Sequence, residues 1–304
     1  MIQTTKKGEW LEWIIPSRWI GESVEFLVKE AIQIPKKLLH DLRMEKGIKL
    51  NGSIVNWNSE VKKNDRLLIK CFKAEEFGVI PEEMELQVLF EDEHLLIVNK
   101  PVGIDSHPNS PHQVGTLANG VAFHWMAMGL QAKVRHIHRL DRDTSGALVF
   151  AKNPLTSALL DAMLEKREIK RTYLAYVEGL IKKKKGTINE SIGRDRHHPT
   201  RRRVSPSGQK AVTHYQVAST YQHSEVSKVH LQLDTGRTHQ IRVHMGYIGH
   251  PLLGDELYGG NTKLIHHQAL HAVNISFTHP ISKEHIEVEA PLPNDLKKLE
   301  ISLR

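Results

Sequence analysis

The chain has 304 residues, of which 39% are hydrophobic and 25% charged, enough for one large domain and a small one with a sizeable core. A net charge of +7 with histidines neutral points to a polyanionic partner, nucleic acid first, although solubility alone explains the charge equally well. The single cysteine, Cys71, excludes an internal disulfide framework and suits a reducing cytoplasm, and no apolar run reaches the length of a membrane span. The start, M-I-Q-T-T-K-K-G-E-W-L-E-W-I-I-P, lacks the continuous apolar region of a signal peptide.

Residues 15–73 read as a small α/β unit. Glu22 to Ile32 has helical spacing, with Val24, Leu27, Val28 and Ala31 on one face. Pro35 interrupts it, and Lys36 to Met44 is predicted as a second short helix. K-G-I-K-L-N-G-S-I-V-N reads as a hairpin with Asn51-Gly52 as its two-residue turn, and Asn64-Asp65 introduces a strand over Arg66 to Cys71. Two helices, a K-L-N-G hairpin and a late K-x-N-D-R-L resemble the S4-like RNA-binding module. That resemblance places Lys36, Lys37, Arg43, Lys46 and Lys49 on an RNA face, where they would contact phosphates. A solvated helix face is the plainer reading of the same charges. Residues 74–85 are acidic, hold Gly and Pro, and read as a linker.

A large domain is predicted over residues 86–304. Apolar runs at Leu86 to Phe90 and Leu95 to Asn99 flank a polar turn, and the second leads into N-K-P-V-G-I-D-S-H-P. Pro101 and Gly103 shape a turn there, which offers Lys100 as a substrate contact, while Asp105 and Ser106 stand where more apolar residues are expected. Leu117 to Met128 reads as a helix. Next comes Arg135 to Lys152, R-H-I-H-R-L-D-R-D-T-S-G-A-L-V-F-A-K, a loop that presents Asp141 between Arg139 and Arg142 and is anchored by the apolar run Ala147 to Ala151. An ionised aspartate among cations can be a nucleophile, a base or simply a surface ion-pair partner. Asn153-Pro154 is a cap followed by proline in the first turn, and Leu155, Ala158, Leu159, Ala162 and Met163 make the core stripe of the helix that follows.

Arg171 to Val177 reads as a strand carrying Tyr173. The most basic region follows, with Lys182 to Lys185 in a turn, then Arg194, Arg196 and Arg201, Arg202 and Arg203, a pattern that favours phosphate binding. After the strand-like Q-K-A-V-T-H-Y-Q-V comes L-D-T-G-R-T-H-Q-I-R-V-H-M. There Val229, Leu231 and Leu233 alternate as a strand, Gly236 turns the chain, and Thr238 is predicted to cap a helix carrying Ile241 and Met245. Strands at Ala269 to Phe277 and His285 to Glu289 close the chain. His136-x-His138 and His266-His267 lack the cysteine or carboxylate partners of a zinc set at usual spacing, so no metal is expected.

H-R-L-D-R-D-T-S-G followed by A-L-V-F-A-K closely resembles the signature of the RluA-type pseudouridine synthases, including the RluD-like enzymes. The apolar strand before K-P-x-G, the R-x-Y strand, K-A-x-T-x-Y, T-G-R-T-H-Q-I-R-V-H and G-H-P-L-L-G-D-E-L-Y-G follow in the family's order. An aspartyl-phosphatase D-x-D-x-T fits less well, because Asp143 and Thr144 are adjacent. The resemblance implies an α+β fold: a mixed, largely antiparallel catalytic sheet, the pseudouridine synthase fold, with the small S4-like domain before it. It implies isomerisation of uridine to pseudouridine in structured RNA without a cofactor, with large-subunit ribosomal RNA favoured as the substrate. On this resemblance Asp141 is the nucleophile, Tyr173 stacks on the target base and assists proton removal, and an arginine pairs with Asp141. Arg242 is placed in that role first and Arg237 second. Arg139 fills the gap left by the extruded base, with Arg142, Arg237 and Lys100 as further substrate contacts. Whether the aspartate attacks the base or the ribose, or first removes a C2′ proton, stays open. The alternatives are a tRNA-directed enzyme, a non-catalytic RNA-binding or ribosome-assembly protein on the same fold, and a Mg²⁺-dependent phosphate-transferring enzyme using Asp141 and Asp143. A monomer in the cytoplasm is expected.

Overall fold

In the computed structural model, which describes residues 3–304, strand period and helix period partition the chain much as their apolar patterns require. In the small unit, strands β1 (Thr4–Lys7), β2 (Trp10–Ile14), β3 (Ile48–Leu50), β4 (Ser53–Ile54) and β5 (Arg66–Lys70) form a sheet in the order β1-β2-β5-β3-β4. Leu11 pairs with Ile69 and Trp13 with Leu67, so the alternate residues of two strands face one core. Helix α1 (Val24–Phe26), capped by the Ser23 hydroxyl, continues as a wider π-type turn over Leu27–Ala31, and α2 (Lys36–Met44) follows Pro35. Asn51 and Gly52 both take positive φ, 51° and 85°, as the expected hairpin turn requires. The unit begins before the expected boundary at residue 15. Trp10–Ile14 is a strand because it pairs with β5, which lies far ahead in the chain.

The large unit is organised on ten strands: β6 (Gln87–Glu91), β7 (Leu95–Lys100), β8 (Arg135–His136), β9 (Ser145–Ala151), β10 (Lys170–Glu178), β11 (Lys185–Asn189), β14 (Val212–Tyr221), β15 (Val226–Leu233), β16 (Leu270–Thr278) and β17 (His285–Glu289). The main path runs β11-β14-β15-β10-β16-β9-β7-β6, with β17 beside β16 and β8 beside β9. Every pairing is antiparallel except β16 with β9, where His271 faces Ser145 and Ala272 faces Gly146. A separate hairpin, β12 (Ile192–Arg194) with β13 (Arg202–Val204), carries the arginine cluster read only as a basic run.

The sheet is covered on both faces, and its strands alternate accordingly. Leu96, Val98, Leu148, Phe150, Tyr173 and Ala175 pack on the side of α3 (Leu117–Ala127) and α5 (Gln240–Tyr247). Leu95, Ile97, Val149, Leu174 and Tyr176 point the other way, toward α4 (Pro154–Glu165) and α6 (Asn294–Ser302). Asn153 caps α4 as expected, its side chain accepting from the Thr156 N–H at 2.9 Å. Thr238 does not cap α5: the helix starts one residue later, after His239 turns the backbone left-handed at φ 58°. Leu155, Leu159 and Ile281 of the large unit join the apolar core of the small one, and Lys166 Nζ donates to Gln33 Oε1 at 2.8 Å. The small unit is therefore packed onto α4 rather than tethered beside it.

Candidate active site

Asp141 sits on the loop between β8 and β9, and the local chemistry of that loop explains its pose. The Thr144 N–H donates to the Asp141 carbonyl at 3.0 Å, closing a tight turn over Asp141–Thr144 directly before β9. Gly146 has φ 117°, and a Cβ there would stand 2.3 Å from the Ala272 carbonyl oxygen, so only glycine lets β9 approach β16 this closely. The loop preceding α3 braces the other side. Ser106, expected to be apolar, is buried; its Oγ donates to the Leu140 carbonyl at 2.8 Å and accepts from the Leu140 N–H at 3.0 Å. The Gly103 N–H donates to the Arg142 carbonyl, and Arg142 Nε donates back to the Gly103 carbonyl at 2.9 Å.

Two expected substrate contacts are consequently committed elsewhere. Lys100 is fully buried, and its Nζ donates to the carbonyls of Pro101, Ile104 and Arg142, each at 2.8 Å. Burial pushes its ammonium down to about 8, still protonated at neutral pH, and all three N–H bonds are used within the protein. Lys100 is thus a brace of the loop and not part of the cleft wall. Arg142 is exposed but directed at Gly103, away from Asp141.

The cleft itself has a volume of about 520 Å³, in the range of small-ligand sites. Asp141, Arg139, His138, Arg171, Tyr173, Arg237, His239 and Arg242 are on its wall. Arg242, on α5, is buried and reaches Asp141 Oδ2 through Nη1 at 3.2 Å. Its Nε and Nη2 grip Asp255 bidentately at 2.7 and 2.8 Å. Burial disfavours the Arg242 charge, but the hydrogen-bonded Asp255 and then Asp141 outweigh it, so the guanidinium is held more firmly protonated than usual. Arg237, the second choice for this pairing, is exposed and donates Nε to the Lys210 carbonyl at 3.2 Å.

Tyr173, on β10, is buried and lines the same cleft as Asp141. Burial pushes its phenol up, Arg171 opposes this and Asp141 adds to it. Three further residues complete the site, two of them in the G-D-E-L-Y turn that was expected to support it. Asp255, 1% exposed, orients Arg242. The Tyr258 ring lies under the Arg242 guanidinium at 5.0 Å, and its hydroxyl, with a pKa pushed up to about 12 by burial, meets His239 Nδ1 at 2.9 Å. His239 Nε2 stands 3.9 Å from Asp141 Oδ2, and burial lowers its pKa although Asp141 opposes that shift. Asp255 and Tyr258 belong to G-D-E-L-Y and His239 to T-G-R-T-H-Q, so the signal was within quoted strings. What the sequence did not reveal was that the strings converge.

The basic residues fall into two groups. Arg202 donates its backbone N–H to Tyr258 Oη at 2.9 Å, which seats the β12–β13 hairpin beside the cleft; Arg203 is exposed, and Arg201 is paired with Asp195 at 2.7 Å. On the small unit Lys36, Lys37 and Lys46 are exposed. Arg43 pairs with Glu25 at 3.1 Å and lies 4.0 Å from the Trp57 ring centroid, and Lys49 lies 4.5 Å from that of Trp10.

An aspartate held by an arginine that is itself anchored on Asp255, in a cleft lined by further arginines, suits an enzyme that acts on an anionic substrate. The model of the RNA pseudouridylate synthase family matches residues 94–247, and that of the RluD ribosomal pseudouridine synthase N-terminal domain matches residues 11–67. The chain belongs to the RNA pseudouridylate synthase family and is an RNA pseudouridine synthase, an isomerase. It is 52% identical to the uncharacterized RNA pseudouridine synthase YhcT of Bacillus subtilis (strain 168), over 97% of each chain. It is 33% identical to ribosomal large subunit pseudouridine synthase D of Vibrio cholerae, over 94% of this chain and 92% of that one. Among solved structures, human RNA pseudouridylate synthase domain containing 1 aligns with a TM-score of 0.56 and 26% identity, covering 72% of this chain and 95% of that one. No helix among the described residues is long and apolar enough to cross a membrane.

Proposed function

We propose that the protein converts specific uridines of large-subunit ribosomal RNA to pseudouridine, as a monomer in the cytoplasm, with Asp141 as the nucleophile. The observation that carries this reading is the Asp141–Arg242 contact at 3.2 Å, which holds a partly exposed carboxylate at the mouth of a cleft large enough for one extruded nucleotide. The reaction needs no external reagent. The N1–C1′ bond breaks, the uracil turns, and C5 joins C1′; C5 gives up a proton and N1 gains one. Asp141 performs the step that frees the base, Arg242 fixes its orientation, and Tyr173 supports the uracil from below. The target must leave its stack at a cost of a few kcal/mol, and Arg139, exposed beside Asp141, fills the gap. Arg201, Arg202, Arg203 and the cations of α2 hold phosphates on either side. The ribosomal substrate is supported by the match of the small unit to the RluD N-terminal domain and by relatives named for the large subunit.

The test is carbodiimide mapping of pseudouridine on total RNA from cells with and without the gene. Loss of signals in large-subunit RNA, restored by wild type and not by Asp141→Asn, is the expected result. Loss confined to tRNA overturns the ribosomal substrate, and full rescue by Asp141→Asn overturns the nucleophile.

A further inference from the structure

The arginines of the cleft are not equivalent. Arg242 is committed to Asp141 and Asp255, Arg167 pairs with Asp234 at 3.1 Å, and Arg237 donates to a carbonyl. Arg171, at the start of β10 and two residues before Tyr173, is 8% exposed. Among the described residues it has no carboxylate within 4.0 Å and its guanidinium donates no hydrogen bond; Nε is wholly buried without an acceptor. A buried cation without a counter-charge is unfavourable, and proteins retain one mainly where an anion arrives.

The surroundings of Arg171 point the same way. His138, 7% exposed on the same wall, has both ring nitrogens buried without a partner. Burial and then Arg171 push its imidazole down to about 3, so it is neutral and has one N–H to give. Gly236 of the T-G-R turn lies beside the guanidinium, where a Cβ would be in ordinary contact with Arg171 Nη1 at 3.4 Å. A neutral uracil carbonyl would satisfy a hydrogen bond but not the charge. A phosphate oxygen satisfies both, and a guanidinium donates to it bidentately.

We propose that Arg171 and His138 form a phosphate subsite that binds the backbone immediately flanking the extruded uridine, fixing the nucleotide against Asp141 and Tyr173. This rests on the pseudouridine synthase reading of the same cleft. Arg203 and Arg237 are exposed, so a phosphate contact there is screened by salt, whereas the contact at Arg171 is made out of water and resists screening.

The experiment uses the full-length protein and a stem-loop RNA that wild type converts, made with a neutral methylphosphonate at the phosphate 5′ or 3′ of the target uridine. One of the two replacements is expected to lower wild-type kcat/KM about tenfold, the scale of a charge-assisted hydrogen bond. Arg171→Met should lose about as much on natural RNA and nothing further on that neutral RNA. Arg171→Lys should regain part of the rate and, with it, the sensitivity to the methylphosphonate. Without RNA, Arg171→Met should melt no lower than wild type, because an uncompensated buried charge has been replaced by an apolar chain. Losses that multiply at both phosphates, or a melting point several degrees lower, would overturn the subsite and make Arg171 structural. A wild-type protein that converts no RNA would instead overturn the enzymatic reading, a result that does not resemble either of those.

Discussion

Replacing Arg242 by Met and Asp255 by Leu, singly and together, separates the stability of this site from its chemistry. Both side chains are buried, and the pair is joined by two charge-assisted hydrogen bonds of 2.7 and 2.8 Å. Arg242→Met strands the buried Asp255, and Asp255→Leu leaves the buried Arg242 only its single 3.2 Å contact to the partly exposed Asp141, each at a cost of about 3–5 kcal/mol. For a unit of this size each kcal/mol moves the melting point by roughly 2–4 °C, so each variant should melt about 10 °C below wild type, as read by calorimetry or circular dichroism. Independent effects would sum to about 6–10 kcal/mol in the double variant. Because the double variant leaves neither charge behind, it should instead melt above both singles. Activity should not follow. Tritium release from RNA labelled at uridine C5 should be lost in Arg242→Met and in the double variant alike, since Asp141 lacks its anchor in both. Additive losses of stability would refute the coupling, and a double variant that releases tritium would refute the role of Arg242 in orienting Asp141.

Acid should weaken the fold through its buried imidazoles. Burial pushes His94 and His136 down to about 4 and His138 to about 3, against about 6.5 in an unfolded chain. Between pH 6.5 and about 4 the unfolded state takes protons that the folded state refuses, so stability present above 6.5 is lost as pH falls through that window. His94→Phe should flatten the slope by up to about 1.4 kcal/mol per pH unit; denaturant midpoints at pH 7, 6 and 5 check this, and an unchanged slope refutes it. Gly146→Ala should cost about 3 kcal/mol or more through backbone strain and the clash with Ala272, seen as a lower melting point together with lost turnover. Ser106→Ala leaves the Leu140 N–H and carbonyl without their buried partner, about 1–3 kcal/mol; kcat should fall while RNA affinity in filter binding stays.

Much of the chain was legible because its information is local. The α4 cap lies in Asn153-Pro154, the hairpin turn in Asn51-Gly52, and the strand around Tyr173 in its own composition. The elements that escaped are those whose reason is distant. Trp10–Ile14 needs β5 to be a strand, and the arginine run needed its β12–β13 pairing to become a hairpin seated on Tyr258. α6 packs Leu296 and Leu299 on the sheet but follows a proline-rich stretch that gave no cap. The same division holds at the site. Asp141, Tyr173 and Arg242 were found from motifs, and the geometry brings them to one cleft with Arg242, not Arg237, on Asp141. Lys100 could not be told from a surface lysine in sequence, because a buried ammonium satisfied by three carbonyls leaves no mark in composition. Asp255, Tyr258 and His239 were visible letters whose roles exist only in three dimensions.

The apolar core that Leu155, Leu159 and Ile281 share with the small unit gives the enzyme a fixed span. α4 leaves directly from β9, the strand that carries the Asp141 loop, so the lysines of α2 and the Asp141 carboxylate are offset by a fixed distance, like the two jaws of a caliper. If α2 holds phosphate and Asp141 reacts, as proposed above, an RNA is accepted only if its backbone presents phosphate at one jaw while its uridine reaches the other. Selection among uridines thereby becomes a matter of distance across a folded RNA as well as of letters around the target.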